Sequence, residues 1–115
     1  MTKWTVRMAA AAERDFQGIL EWTGEQFGQI QVRVYADTII AALEALASGP
    51  EAARAKPRSE ILPGLFSLHT ARDGRKGRHL VLLRVDRERN VVEVLRFLHD
   101  SMDLARHLPE DRSGL

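Results

Sequence analysis

The chain has 115 residues, enough for one domain with a modest core. Its 44% apolar and 29% charged content is that of an ordinary water-soluble globular protein, and a net charge of +1 excludes a strongly basic nucleic-acid binder. No cysteine is present, which excludes disulfides, thiolate metal centres and cysteine nucleophiles, and no apolar run reaches the roughly 18 residues of a membrane span. The start, Met1-Thr2-Lys3-Trp4, has no apolar signal region, so export is not expected.

Trp4-Thr5-Val6-Arg7-Met8 alternates apolar and polar residues, as a half-buried strand does. Helical spacing then takes over. Ala12, Phe16, Ile19, Leu20, Thr23 and Phe27 share one face at steps of three and four, and after Gly28 a second stripe runs through Val32, Tyr35, Ala36, Ile39, Leu43 and Leu46. Ser48-Gly49-Pro50 ends the second helix, and one glycine between two helices predicts an antiparallel helical hairpin. Residues 49–64, punctuated by Pro50, Pro57 and Pro63-Gly64, read as loop. Strands are predicted over Leu65–Ala71, His79–Val85 and Val91–Leu98, joined by hairpin-length turns. A short helix over Met102–Leu108 stops at Pro109, and Glu110–Leu115 is a polar tail. This order predicts an α+β fold in a single domain over 1–115, with the helical hairpin covering one face of a twisted antiparallel sheet and the other face partly open.

Charge is uneven. Residues 1–57 hold six basic and seven acidic groups, whereas residues 66–99 hold eight basic and four acidic ones, so the second half is the one to meet an acidic surface. The segment from Val91 to Asp103 gathers an arginine, a histidine and an aspartate at a strand end, where a rigid backbone presents side chains to a partner. Other chemistries are poorly supported. His69, His79, His99 and His107 fit no short metal-binding spacing. Gly74-Arg75-Lys76-Gly77 has no helix after it to hold a phosphate, and no serine sits in a nucleophile elbow. A metal-free ribonuclease needs a base, an acid and cations, which Arg72, Lys76, Arg78, Arg96 and His99 could supply. Arg96 and His99 sit three positions apart and converge only if the strand ends or bends between them. The plainer expectation is that Arg96 is a partly buried ion-pair partner of Asp103 or Glu93. Trp4 and Trp22 are expected in the core rather than under a partner.

One ordered set of short motifs resembles a known family. It begins with Asp15-Phe16-x-x-Ile19, Glu25-Gln26-Phe27-Gly28, Tyr35, Leu43-x-x-Leu46-Ala47 and Pro50. It continues through Leu62-Pro63-Gly64-Leu65 and Gly77-Arg78-His79, and closes with Val94-Leu95-Arg96-Phe97-Leu98-His99-x-x-Met102-Asp103. From about Trp4 to Leu108 the chain resembles ParE-type toxins of the RelE/ParE superfamily, from bacterial type II toxin–antitoxin modules. The resemblance implies an α+β fold with a helical hairpin on a twisted sheet and a cytoplasmic toxin. It implies a ParD-like antitoxin whose C-terminal segment wraps the toxin, and DNA gyrase as target. RelE-type relatives instead cut messenger RNA in the ribosomal A site, using basic residues on the sheet and a late tyrosine or histidine. Tyr35 is the only tyrosine, and none follows the last strand, so that signature is incomplete. Ribosome-dependent cleavage and an inactive relative remain the alternatives. Arg72, Arg78, Arg96, His99, Asp103 and His107 are the candidate contacts to antitoxin or target. No catalytic residue, metal, cofactor, membrane or sequence-specific nucleic-acid contact is expected, and a homodimer or a toxin–antitoxin hetero-oligomer both fit.

Overall fold

A computed structural model of the chain describes residues 3–102 and Leu104. The element order is β1 (Thr5–Met8), α1 (Ala10–Phe27), α2 (Gln29–Leu46), β2 (Lys56–Pro57), β3 (Leu65–His69), β4 (His79–Asp86) and β5 (Val91–His99). The helical hairpin and the three-strand meander stand as the apolar spacing predicts. Asp103, His107 and nearly all of the expected closing helix lie outside the described residues.

Gly28, at φ 89°, closes α1 through its N–H to the Gly24 carbonyl and accepts the first α2 bond from Val32 N–H. A side chain rarely adopts that backbone conformation, which is why one glycine can serve as the whole hinge. Buried hydroxyls on the helices are satisfied one turn back, Thr23 to the Ile19 carbonyl and Thr38 to the Val34 carbonyl. After α2 the chain turns at Gly49, φ 103°, where an added Cβ would lie 2.7 Å from the Trp4 indole nitrogen. Trp4 N–H also donates to the Ala47 carbonyl, so the first strand is tied to the end of the second helix.

The strands form one five-stranded sheet in the order β1-β5-β4-β3-β2. Two features depart from the sequence expectation. β1 is paired parallel to β5, Thr5 opposite Val91 and Met8 opposite Val94, because the helical hairpin carries the chain away and the last strand returns beside the first. The loop over 49–64 contains the two-residue β2, antiparallel to β3; its Pro57 confines it to the edge. Between β4 and β5 the register shifts, Leu83 opposite Val94 but Leu82 opposite Arg96, which leaves Leu95 as the extra residue of a bulge.

Each face of the sheet has its own core. The helices cover Leu68, Val81, Leu83, Val92, Val94 and Phe97 with Ala12, Ile39, Ala42 and Leu46. The opposite face is not open as expected. Leu65, Leu82, Leu95 and Leu98 are buried there under Ile61, Leu62 and Leu104. Alternation along β4 sends odd and even residues to these two cores. The functional surface therefore has to be found at the sheet's end, under the helical hairpin.

Candidate functional site

His69, His79 and His99 end or begin three adjacent strands, and the geometry gathers them at one end of the sheet. His79 stands directly opposite His99, with ring centroids 5.6 Å apart and near edge-to-face. His69 lies beside Asp100, its Nε2 2.9 Å from Oδ2. Arg78 grips the other side of the same carboxylate through Nε and Nη2 at 3.1–3.3 Å. The guanidinium, with the His69 bond second, holds the Asp100 carboxyl down to about 2.

The neighbours of the three rings fix their tautomers. Ala71 N–H donates to His69 Nδ1, so His69 carries its proton on Nε2 and gives it to Asp100. Ser101 N–H points at His99 Nδ1, with Ser101 Oγ 2.7 Å from the same nitrogen, so the proton of neutral His99 is also on Nε2. Tyr35 reaches from α2 to His79 Nδ1 at 2.6 Å. The Tyr35 oxygen also accepts Arg78 N–H, and with its own O–H donated to His79 Nδ1 the imidazole carries its proton on Nε2. In this arrangement Nε2 carries the proton in all three imidazoles, with the His69 Nε2–H taken by Asp100. Burial, reinforced by the neighbouring His99, pushes the His79 pKa down.

His79 and His99 line a cleft of about 330 Å³ with Trp22, Thr23, Phe27, Gln31, Tyr35 and Lys76. A second cleft of about 440 Å³ shares His79, His99 and Trp22, and adds Asp15, Arg96 and Met102. Trp22 is thus the wall between the two. It is 55% exposed and stacked edge-on against Phe27, itself 65% exposed, so neither belongs to the core in which the sequence places them.

The predicted contact residues divide. Arg78 and His99 meet at the first cleft, and Arg96 joins His99 at the second. The carboxylate that holds Arg96 is Asp15 of α1 rather than Glu93, with Nε 2.6 Å from Oδ2 and Nη2 3.1 Å from Oδ1. Asp15 also accepts the backbone N–H of Phe97, and so stands in for a neighbouring strand where β1 has already ended. Arg72 is far from either cleft in role. It donates to the Ala53 carbonyl at 2.6 Å and pins the β3–β4 turn to the 49–55 segment. Sequence reasoning missed His79, Tyr35 and Trp22 as site residues. The signal available was that Gly77-Arg78-His79 and Leu98-His99 fall at equivalent ends of neighbouring strands. Among the described residues no group of three or more His, Asp or Glu could hold a metal ion, and no helix is long and apolar enough to cross a membrane.

A pH effect follows from His79. A histidine whose folded pKa is depressed contributes stability that is complete above its unfolded pKa, near 6.5, and is lost as pH falls toward the folded value. Tm should therefore fall between pH 7.5 and 5. His79→Gln should flatten that slope in circular-dichroism melts, and an unchanged slope would assign the loss to another group.

Comparisons bear on this arrangement. A family model described as "ParE toxin of type II toxin-antitoxin system, parDE" matches residues 6–104. The fold is similar to a solved chromosomal ParDE toxin–antitoxin system from P. aeruginosa, at TM-score 0.67 and 16% identity over 84% of this chain and 95% of that one. It is also similar to a free mutant form of the E. coli toxin RelE, at TM-score 0.61 and 12% identity over 96% of this chain and 98% of that one. No curated protein matches the sequence.

Proposed function

The chain belongs to the ParE toxins of type II toxin–antitoxin systems, and on that basis we propose that it is the toxin of such a module, neutralised by a ParD-like antitoxin and acting on DNA gyrase in the bacterial cytoplasm by binding rather than by chemistry. The observation that supports binding is the orientation of the histidines. A general base must offer a lone pair to the reacting proton. His99 instead turns its Nδ1 lone pair to Ser101, and His79 does the same toward Tyr35 when it accepts the phenol proton, so neither Nδ1 is free to act as a base. The nearby arginines are already engaged, Arg96 by Asp15 and Arg78 by Asp100, rather than held in reserve for a developing phosphorane charge.

A purified gyrase supercoiling assay tests the target. Supercoiling of relaxed plasmid should be suppressed at micromolar toxin, and undiminished supercoiling with folded toxin would remove gyrase as the target. The competing reading, cleavage of messenger RNA on the ribosome, rests on the proximity of the two imidazoles. It predicts toxin-dependent A-site breaks that vanish in His79→Gln and His99→Gln. We expect no such breaks.

A further inference from the structure

We propose that the cleft between Trp22, Tyr35, His79 and His99 receives one carboxylate side chain of the antitoxin, and that apolar side chains of the same antitoxin segment lie on Trp22, Phe27, Ile30 and Val34. The inference rests on the partnership with an antitoxin proposed above, and adds where and by what chemistry the partner is held.

Three observations select this occupant. The first is charge. Two fixed Nε2–H donors and the exposed Lys76 ammonium line one small cleft, a donor set suited to a carboxylate and not to a cation. Arg78 adds positive charge at the rim while it stays paired with Asp100. The second is continuity. Gln31 and Tyr35, one turn apart on α2, line the cleft, and the adjoining row on that helix is Ile30, 82% exposed, and Val34. An amphipathic helix laid along α2 would bury that row, with its acidic residue over the cleft. The third is what argues against a polyanion. Glu21 and Glu25 lie on the same helix as Trp22, and the other exposed cations are spread over separate elements, among them Arg14 on α1, Arg33 on α2, Arg75 in the β3–β4 turn, and Arg87 and Arg89 beyond β4. A nucleic-acid backbone would find no continuous cationic strip and would leave Ile30 and Val34 uncovered. A cleft of about 330 Å³ is also too small for a run of nucleotides.

The test titrates the full-length toxin with the antitoxin encoded beside it, by isothermal titration calorimetry. Trp22→Ala should weaken binding about 30-fold or more, as removal of a central aromatic anchor does. Lys76→Glu should weaken it about tenfold, and an Asp or Glu→Lys change in the antitoxin segment should restore that loss. Arg89→Glu, at the far end of the sheet, should bind within about twofold of the wild type. Circular dichroism confirms that the variants, all at exposed positions, are folded. Wild-type-like affinity in both Trp22→Ala and Lys76→Glu would overturn the site and leave the partnership standing. No binding by the wild-type toxin would overturn the partnership, and the site with it. A single-stranded RNA oligonucleotide that binds the wild type and is lost in Lys76→Glu would reassign the cleft to nucleic acid.

Discussion

Replacement of Asp15 by alanine should destabilise the fold by about 3 kcal/mol and lower Tm by on the order of 10 °C, the largest loss expected from any single polar side chain here. Three hydrogen bonds end on this carboxylate: two from the Arg96 guanidinium and one from Phe97 N–H. The side chains are only 17% and 26% exposed, so solvent screens the pair weakly and removal of one partner leaves a charge in poor surroundings. The Phe97 amide is the second element of the loss. β1 pairs with β5 only as far as Val94, and beyond it the strand edge depends on Asp15. Asp15→Asn keeps an acceptor for that amide and loses the charge, so it should retain about 1 kcal/mol of the stability that Asp15→Ala forfeits. Thermal and urea melts of the two variants measure both numbers. A total loss below about 1 kcal/mol in Asp15→Ala would mean that the pair behaves as an ordinary surface salt bridge.

Gly77→Ala should be nearly as severe in stability and more severe at the site. A Cβ on Gly77 would overlap Thr70 Oγ1 outright and lie 3.2 Å from Tyr35 Oη. Thr70 is fully buried and tied to the His79 carbonyl by its N–H at 3.0 Å and its hydroxyl at 3.1 Å, so it has no room to withdraw. Overpacking of this kind costs about 1–3 kcal/mol. The strain falls on Tyr35, the residue that sets the His79 tautomer, so the imidazole should lose its fixed Nε2–H orientation. The ring-nitrogen chemical shifts of His79 should move from a single Nε2–H tautomer toward a mixture. Tyr35→Phe is the control. It leaves the space unchanged, removes only the O–H donor, and should cost about 1 kcal/mol with the same tautomer signature. Unperturbed His79 shifts in both variants would show that Tyr35 does not set the tautomer.

What the sequence made legible was whatever depends on neighbours in the chain. The two helical stripes, the glycine between them and the β3–β4–β5 meander all follow from local periodicity and turn residues. What it hid depends on distance. Asp15 and Arg96 are separated by 81 positions, and nothing local distinguishes Asp15 from other acidic residues on α1, so the nearby Glu93 looked the more eligible partner. The parallel direction of β1 is likewise a consequence of where the helices return the chain. Phe27 carries the helical spacing of core residues and Trp22 lies beside that stripe, yet both rings are exposed. The histidine cluster was half visible. His99 stood out in its segment, while His79 gained meaning only through the register that sets it opposite.

The pairing of β1 with β5 also has a consequence in time. Thr5 meets Val91, so the first strand must wait until β5 has been made before it has a neighbour. At about 5–20 residues per second of synthesis, that interval is roughly 4–17 s. The α1–α2 hairpin, built from local contacts, can form within it, whereas the sheet edge and the Asp15 lock to β5 cannot. The histidine pair, with one ring on β4 and the other at the end of β5, is completed last. The nascent chain therefore carries its helical hairpin before the histidine pair exists, and the two rings meet only once β5 has been made.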